Sequence, residues 1–149
     1  MDSTIVSPLS LAVISVAITA IALVSSIKQR DRSKLTRKWV VLFSSPGLMM
    51  MVAFYSFAAR MHSALNGWPD FYGTEQLPSG LLFHDDVAAW MFTMTLLIAL
   101  CIPLALALFY VTPRLRPHLI YPAFFGSVCW LCIFMTQLAP TGFLNWWWD

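Results

Sequence analysis

The stretch VAAWMFTMTLLIALCIPLALALFYVTP, residues 87–113, decides the fold class, because it contains no acidic, basic or histidine residue. A helix rises 1.5 Å per residue, so about 20 apolar residues cross the roughly 30 Å of hydrocarbon in a bilayer. Uncharged stretches of similar character occupy residues 3–27, 39–59 and 119–148. The pattern predicts an all-α integral membrane protein with four transmembrane helices. We expect these helices at residues 8–27, 39–59, 87–111 and 119–138.

The composition of the whole chain agrees with this class. Of its 149 residues, 59% are hydrophobic and 11% are charged, and the mean hydropathy is +0.72. Soluble domains carry about 25% charged residues. The composition therefore excludes a soluble enzyme, a disordered tail and a nucleic-acid partner. We expect residues 1–149 to form a single transmembrane domain.

The charged residues are distributed unequally, and they orient the predicted helices. Eight of the nine basic residues lie between helices one and two or between helices three and four, with one acidic residue among them. The positive-inside rule places these two connections on the cytoplasmic side. This gives +7 inside and, from one basic and six acidic residues, −5 outside, which add to the net charge of +2. We therefore expect both termini outside.

The flanks of the first hydrophobic segment and the basic connection after it each allow two interpretations. A cleaved signal peptide is basic before its apolar run, whereas here the basic residues follow it, which favours a retained helix. The basic residues at 28–38 are typical of a topology determinant. The alternative is a patch that attracts anionic lipid headgroups.

The predicted outer loop, residues 60–86, is the only sizeable polar segment, so any chemistry is expected there. His62 and His84 flank it, and Asp85 and Asp86 follow directly. Imidazoles and carboxylates are ligands of transition metals, so these four residues are the candidate metal or haem site. The alternative is structural: Asp85 and Asp86 cap the N-terminus of helix three, and Arg60 pairs with them.

Tryptophans mark the predicted outer boundary of the bilayer. Trp146, Trp147 and Trp148 close the chain, and Trp68 lies in the outer loop. Indole rings favour the headgroup region, so we expect all four to anchor the protein to the membrane or to a partner. Consecutive helical residues point about 100° apart, so the three terminal rings cannot all face lipid. At least one is expected to pack on protein.

Prolines and cysteines inside the predicted helices carry weaker signals. Pro46 and Pro103 each remove a backbone donor, which predicts kinks. The spacing Cys129-Trp-Leu-Cys132 resembles the motif of quinone-coupled thiol oxidases. Those enzymes need a second cysteine pair, and this chain has three cysteines in all. We therefore expect both thiols to serve as small packing groups.

The predicted helices contain no charged residue or histidine, although proton relays and ion pathways usually need one. A proton-coupled pump is therefore disfavoured. We expect a non-catalytic membrane subunit, or an assembly or scaffold protein, whose partners are lipid and other membrane subunits or a second copy. No cofactor is predicted on this interpretation. The alternative is a membrane redox or electron-transfer protein with a haem, quinone or metal at the outer loop. The expected location is a prokaryotic cytoplasmic membrane.

Overall fold

The computed structural model describes residues 8–28, 36–69 and 77–148, and every regular element in these segments is helical. Four helical segments are long and apolar enough to cross a membrane, which confirms the predicted all-helical fold with four candidate spans. Membrane insertion and the side of each terminus stay predictions. The helices are α1 (Pro8–Lys28), α2 (Arg37–Leu65), α3 (Ser79–Val111), α4 (Ile120–Thr136) and α5 (Thr141–Trp148), with a short 3₁₀ turn at Arg116–His118.

The predicted limits of the outer loop are wrong. Helix α2 continues to Leu65 instead of ending at residue 59, and α3 begins at Ser79 instead of residue 87. The connection therefore covers residues 66–78, of which 70–76 lie outside the described residues. The error has a physical cause. Charged residues mark where a segment stops being apolar, but the backbone hydrogen bonds of a helix continue through them.

The end of the chain also differs from expectation. Helix α4 ends at Thr136, and a turn leads to the separate helix α5. Pro140 has no N–H, and it disfavours the helical conformation in the residue before it. Its carbonyl then accepts hydrogen bonds from the N–H groups of Phe143 and Leu144, both at 3.0 Å, which begins α5. The terminal tryptophans thus belong to a helix of their own.

The chain divides into two compact units. The first unit comprises residues 1–45 and 96–130, and the second comprises residues 46–95 and 131–149. Cys129 belongs to the first unit and Cys132 to the second. Both thiols are buried and neither is in a disulfide, as expected of packing residues.

Ser15 joins three helices in the first unit. Its hydroxyl donates to the carbonyl of Ala99 on α3 at 2.9 Å and accepts from the indole N–H of Trp130 on α4 at 3.2 Å. The acceptor carbonyl is the one that Pro103 leaves without its helical donor, because proline lacks the N–H that would bond four residues back. A hydroxyl from α1 thus replaces the missing bond. Helix α3 continues through Pro103 as a helix.

Close backbone approach is the second feature of the first unit. A Cβ added at Gly126 on α4 would lie 2.6 Å from a methyl carbon of Ile102 and 3.0 Å from one of Thr19. Only glycine fits there, so α1, α3 and α4 meet at this point. Ile102, Leu106 and Ala123 form the buried apolar core beside it.

Candidate functional site

The candidate metal ligands and the anchoring tryptophans all belong to the second unit. Its α2 and α3 segments run antiparallel in a fixed register. Ser56 pairs with His84, their Oγ and Nε2 atoms being 3.0 Å apart. One turn away, a Cβ added at Gly80 would lie 3.5 Å from the guanidinium of Arg60. The guanidinium of Arg60 therefore lies beside Gly80 at the start of α3.

The imidazole of His84 has one satisfied nitrogen and one unsatisfied nitrogen. The single hydroxyl hydrogen of Ser56 is donated to the carbonyl of Ala53 at 3.0 Å, so Oγ accepts from the Nε2–H of His84. In the neutral ring Nδ1 is then an acceptor. This atom is buried and has no hydrogen-bond partner among the described residues. An unsatisfied buried acceptor costs about 1–3 kcal/mol, so Nδ1 is the chemically notable atom of the second unit.

Aromatic side chains enclose this imidazole on one side. The Phe57 ring centroid lies 5.5 Å from that of His84. Phe57 in turn contacts three rings of α5, with centroids 5.8 Å away for Phe143, 5.9 Å for Trp146 and 6.0 Å for Trp147. Phe57 and Phe143 are fully buried. The chain's own rings therefore fill the space beyond Phe57.

The connection between α2 and α3 is tied to α5 through Trp68. A Cβ added at Gly142 would lie 2.7–2.9 Å from three atoms of the Trp68 side chain. On its other side Trp68 contacts the imidazole of His62, with ring centroids 4.6 Å apart. Gly142 thus permits the indole to lie directly on the α5 backbone.

The four candidate metal ligands are not brought together. His62 is exposed against Trp68, whereas His84 faces Ser56 a turn and a half earlier on α2. Asp85 is half-buried and Asp86 is exposed. Within the described segments, no group of three or more His, Cys, Asp or Glu residues is placed to hold a metal ion. Ser56, the partner of His84, was not predicted from the sequence. The available signal was a hydroxyl group within an otherwise apolar stretch.

The capping interpretation of the two aspartates is wrong. Helix α3 has no acidic residue in its first turn, because it begins at Ser79 and both aspartates lie further along it. In place of a side-chain cap, the carbonyl of Pro78 accepts from the N–H of Leu81 at 2.7 Å. Arg60 lies beside Gly80, and among the described residues it forms no ion pair with either aspartate.

The anchoring tryptophans have three different environments. Trp146 is 7% exposed, Trp147 is half-buried and Trp148 is 54% exposed. Trp147 stacks edge-on against Phe54 of α2 with centroids 5.0 Å apart, and Trp148 contacts Phe92 of α3 at 5.5 Å. The rings thus diverge around α5, and each of them contacts another ring of the chain itself. The sequence predicted the divergence but not the surface that receives them.

Comparison with known protein families, curated proteins and solved structures gives no match for this chain. The functional argument therefore depends on its own residues. In the second unit, the described residues offer one imidazole with an open acceptor, one nearby carboxylate and a wall of aromatic rings. This arrangement resembles a packed protein interior more than a substrate cleft.

Proposed function

We propose that this chain is a four-span integral membrane protein with both termini on the outer side. It acts as a non-catalytic subunit or assembly protein that packs against other membrane helices. The main support for this proposal is that few residues are buried in three of the four spans. In the most apolar part of each span, 17% of the residues of α1, 28% of those of α2 and 22% of those of α3 are buried. The corresponding share is 44% for the span that contains α4. Most residues of these three helices are therefore at least partly exposed, to lipid or to partner helices.

The exposed face of α1 has the form of a helix-packing seam. Leu11, Ile14, Ile18 and Ile21 follow one another at alternating spacings of three and four residues, and each is at least 39% exposed. This spacing is typical of the seam of a left-handed helix pair. The neighbouring face of α1 is buried through Ser15 and Thr19. Helix α1 thus uses its small polar face within the chain and presents an aliphatic face for a partner.

The hydroxyl groups within the spans support a non-catalytic role. Five of them donate to backbone carbonyls of the chain, at 2.7–2.9 Å. Four of these bonds are within one helix and one joins two helices, so the five hydroxyls already have backbone acceptors. They belong to Ser15, Thr19, Thr95, Ser127 and Thr136.

The test is the mass of the particle extracted in mild detergent. We expect a protein mass above the 16.8 kDa of one chain. Ile14→Ala with Ile18→Ala should reduce it, because the seam loses its side chains. Val13→Ala with Val24→Ala is the control, since both valines are exposed away from that seam. A wild-type particle of one chain would refute the subunit role.

Topology is tested separately by cysteine labelling of intact cells. In a variant with the three native cysteines replaced by alanine, Ser63→Cys should react with an impermeant thiol reagent and Pro113→Cys should not. Both positions are exposed, so access depends on the side of the membrane. The reverse pattern would overturn the orientation. The prokaryotic cytoplasmic membrane stays a prediction.

One observation favours a second candidate, a haem- or metal-binding protein: the buried, unpartnered Nδ1 of His84. A neutral imidazole nitrogen is a common metal ligand. The visible spectrum and elemental analysis of the purified protein decide. A stoichiometric metal or haem that His84→Ala removes and His62→Ala retains would establish this candidate. No bound group in the wild-type protein would exclude it.

A further inference from the structure

Aromatic rings in the first unit bring two basic segments of the chain together. Trp39 and Phe43 of α2 both contact Tyr121 of α4, with centroids 5.5 and 5.8 Å apart. His118, from the turn before α4, stacks nearly parallel to the Tyr121 ring, with a centroid distance of 5.9 Å and an interplanar angle of 16°. We call this set of four rings the aromatic platform. The start of α2 and the start of α4 therefore lie side by side.

The residues next to the aromatic platform are strongly basic. Arg37 and Lys38 directly precede Trp39, and Arg114 and Arg116 lie in the segment that leads to His118; all four are exposed. The described part of the first unit contains these four and Lys28, and no Asp or Glu. In the described part of the second unit, by contrast, Arg60 is accompanied by Asp85 and Asp86. The described part of the first unit thus carries basic residues without acidic ones.

Arg116 is held in a defined orientation at this surface. Its Nε donates to the carbonyl of Tyr110 at 2.5 Å, and its guanidinium carbon lies 5.1 Å from the centroid of the Tyr110 ring. A guanidinium that is already oriented loses less side-chain entropy when it binds a phosphate. Its two terminal amino groups carry four further N–H donors, in the fork geometry that matches phosphate oxygens.

We propose that this surface, formed by Arg37, Lys38, Arg114 and Arg116 around the aromatic platform, binds the phosphate headgroup of an anionic phospholipid. The apolar stretch of α2 begins at Trp39, directly after two cations. The uncharged stretch that contains most of α3 ends at Pro113, directly before a third cation, Arg114. The cations therefore lie where hydrocarbon gives way to headgroups. Trp39 and Tyr110 are 42% and 65% exposed, and such rings favour that depth. The proposal does not depend on the subunit role.

The experiment counts lipids that stay bound to the purified full-length chain. The protein is equilibrated with equal amounts of phosphatidylglycerol and phosphatidylcholine in mild detergent and analysed by native mass spectrometry. We expect preferential retention of phosphatidylglycerol. Arg114→Gln with Arg116→Gln should reduce that preference about fivefold per charge removed, the usual effect of one basic residue beside an anionic surface. Arg60→Gln, an exposed arginine of the second unit, is the control and should change nothing.

Three further measurements separate guanidinium geometry, net charge and free-anion binding. Arg116→Lys keeps the charge but loses the guanidinium fork, so it should fall between the wild type and Arg116→Gln. Raising the salt concentration should weaken the wild-type preference, which tests the charge effect without any variant. Displacement of the lipid by an equal concentration of inorganic phosphate would identify a free anion as the ligand and overturn the lipid proposal. No wild-type preference, or an equal loss in Arg60→Gln, would also overturn it.

Discussion

Each of the two units of this chain is stabilised internally by a different kind of interaction. The first unit relies on one bridging serine, a proline-freed carbonyl and a glycine at which three helices meet. The second unit relies on rings: Phe54 and Phe57 of α2 lie among four aromatic side chains contributed by α3 and α5. The first unit thus depends on close backbone approach, whereas the second depends on buried aromatic area.

The proposed membrane location accounts for this difference. In hydrocarbon, lipid tails are as apolar as leucine, so helices associate through tight packing and hydrogen bonds between helices. The described acidic residues, Asp85 and Asp86, both belong to the second unit, as does the polar connection between α2 and α3. Where segments meet water, burying large rings again stabilises the fold. The comparison predicts which substitutions damage each unit.

The largest effect is expected from Phe143→Ala. Phe143 is fully buried and contacts Phe54 at 5.2 Å between centroids and Trp68 at 6.0 Å. Truncating a buried phenylalanine costs about 3–5 kcal/mol, and we expect the lower end of that range for the free energy of unfolding in mixed micelles. Trp148→Ala, at the 54% exposed end of the same helix, should cost under about 1 kcal/mol. Equal losses would show that α5 does not hold the second unit together.

Gly126→Ala tests close approach in the first unit. The new methyl group would have to displace Ile102, which is 5% exposed. Overpacking of this kind costs about 1–3 kcal/mol, so we expect about 2 kcal/mol in the same unfolding measurement. Gly67→Ala is the matched control, because no atom lies within 4 Å of the added Cβ. A harmless Gly126→Ala would mean that the three helices are not in tight contact.

How much of the fold could be predicted varies with the kind of signal. Long uncharged stretches revealed four candidate spans, because hydropathy reports directly on transfer into hydrocarbon. The same stretches predicted the C-terminal end of α2 and the N-terminal end of α3 wrongly, because both helices extend beyond the apolar region. Helix α5 was not predicted. Its tryptophans were interpreted only as an interfacial anchor, and the helix start after Pro140, at Thr141, was not considered.

The candidate site was less predictable, because it depends on register. His62 and His84 were expected at one loop, but extending both helices moves them to different contacts, Trp68 and Ser56. A sequence does not state which residues of two antiparallel helices face each other. The same limit hid the pairing of Ser15 with Ala99, although Pro103 did identify the carbonyl that would need a donor.

Ser15→Ala should have an intermediate effect. It removes the hydroxyl that donates to the Ala99 carbonyl and that accepts from the Trp130 indole N–H, both in buried positions. Interhelical hydrogen bonds within membranes contribute about 0.6–1.7 kcal/mol, so we expect a loss of about 1.5 kcal/mol. Ser127→Ala serves as the control, because its hydroxyl bonds only to the Ala123 carbonyl of its own helix at 2.8 Å. If the control cost as much, the bridge between helices would not matter.

The smallest effect on the free energy of unfolding is expected at Leu42, the other residue whose carbonyl lacks its helical donor because of a proline. Pro46 leaves the carbonyl of Leu42 without its helical donor, and the Ser45 hydroxyl donates to it at 2.9 Å. This bond lies within one helix and is exposed, so Ser45→Ala should cost only a few tenths of a kcal/mol, in contrast to Ser15→Ala.

A double-mutant cycle isolates that contribution from other effects of the alanine. Pro46→Ala restores the backbone N–H that bonds the Leu42 carbonyl, so the hydroxyl of Ser45 then has nothing to replace. Ser45→Ala should therefore cost nothing in the Pro46→Ala background, and Ser15→Ala should cost less in a Pro103→Ala background while still removing its bond with Trp130. Unfolding of all six variants in the same micelles measures both couplings. If the costs of Ser45→Ala and Ser15→Ala are the same with and without the prolines, the hydroxyls do not compensate for them, and the contrast between an interhelical and a local bond must have another origin.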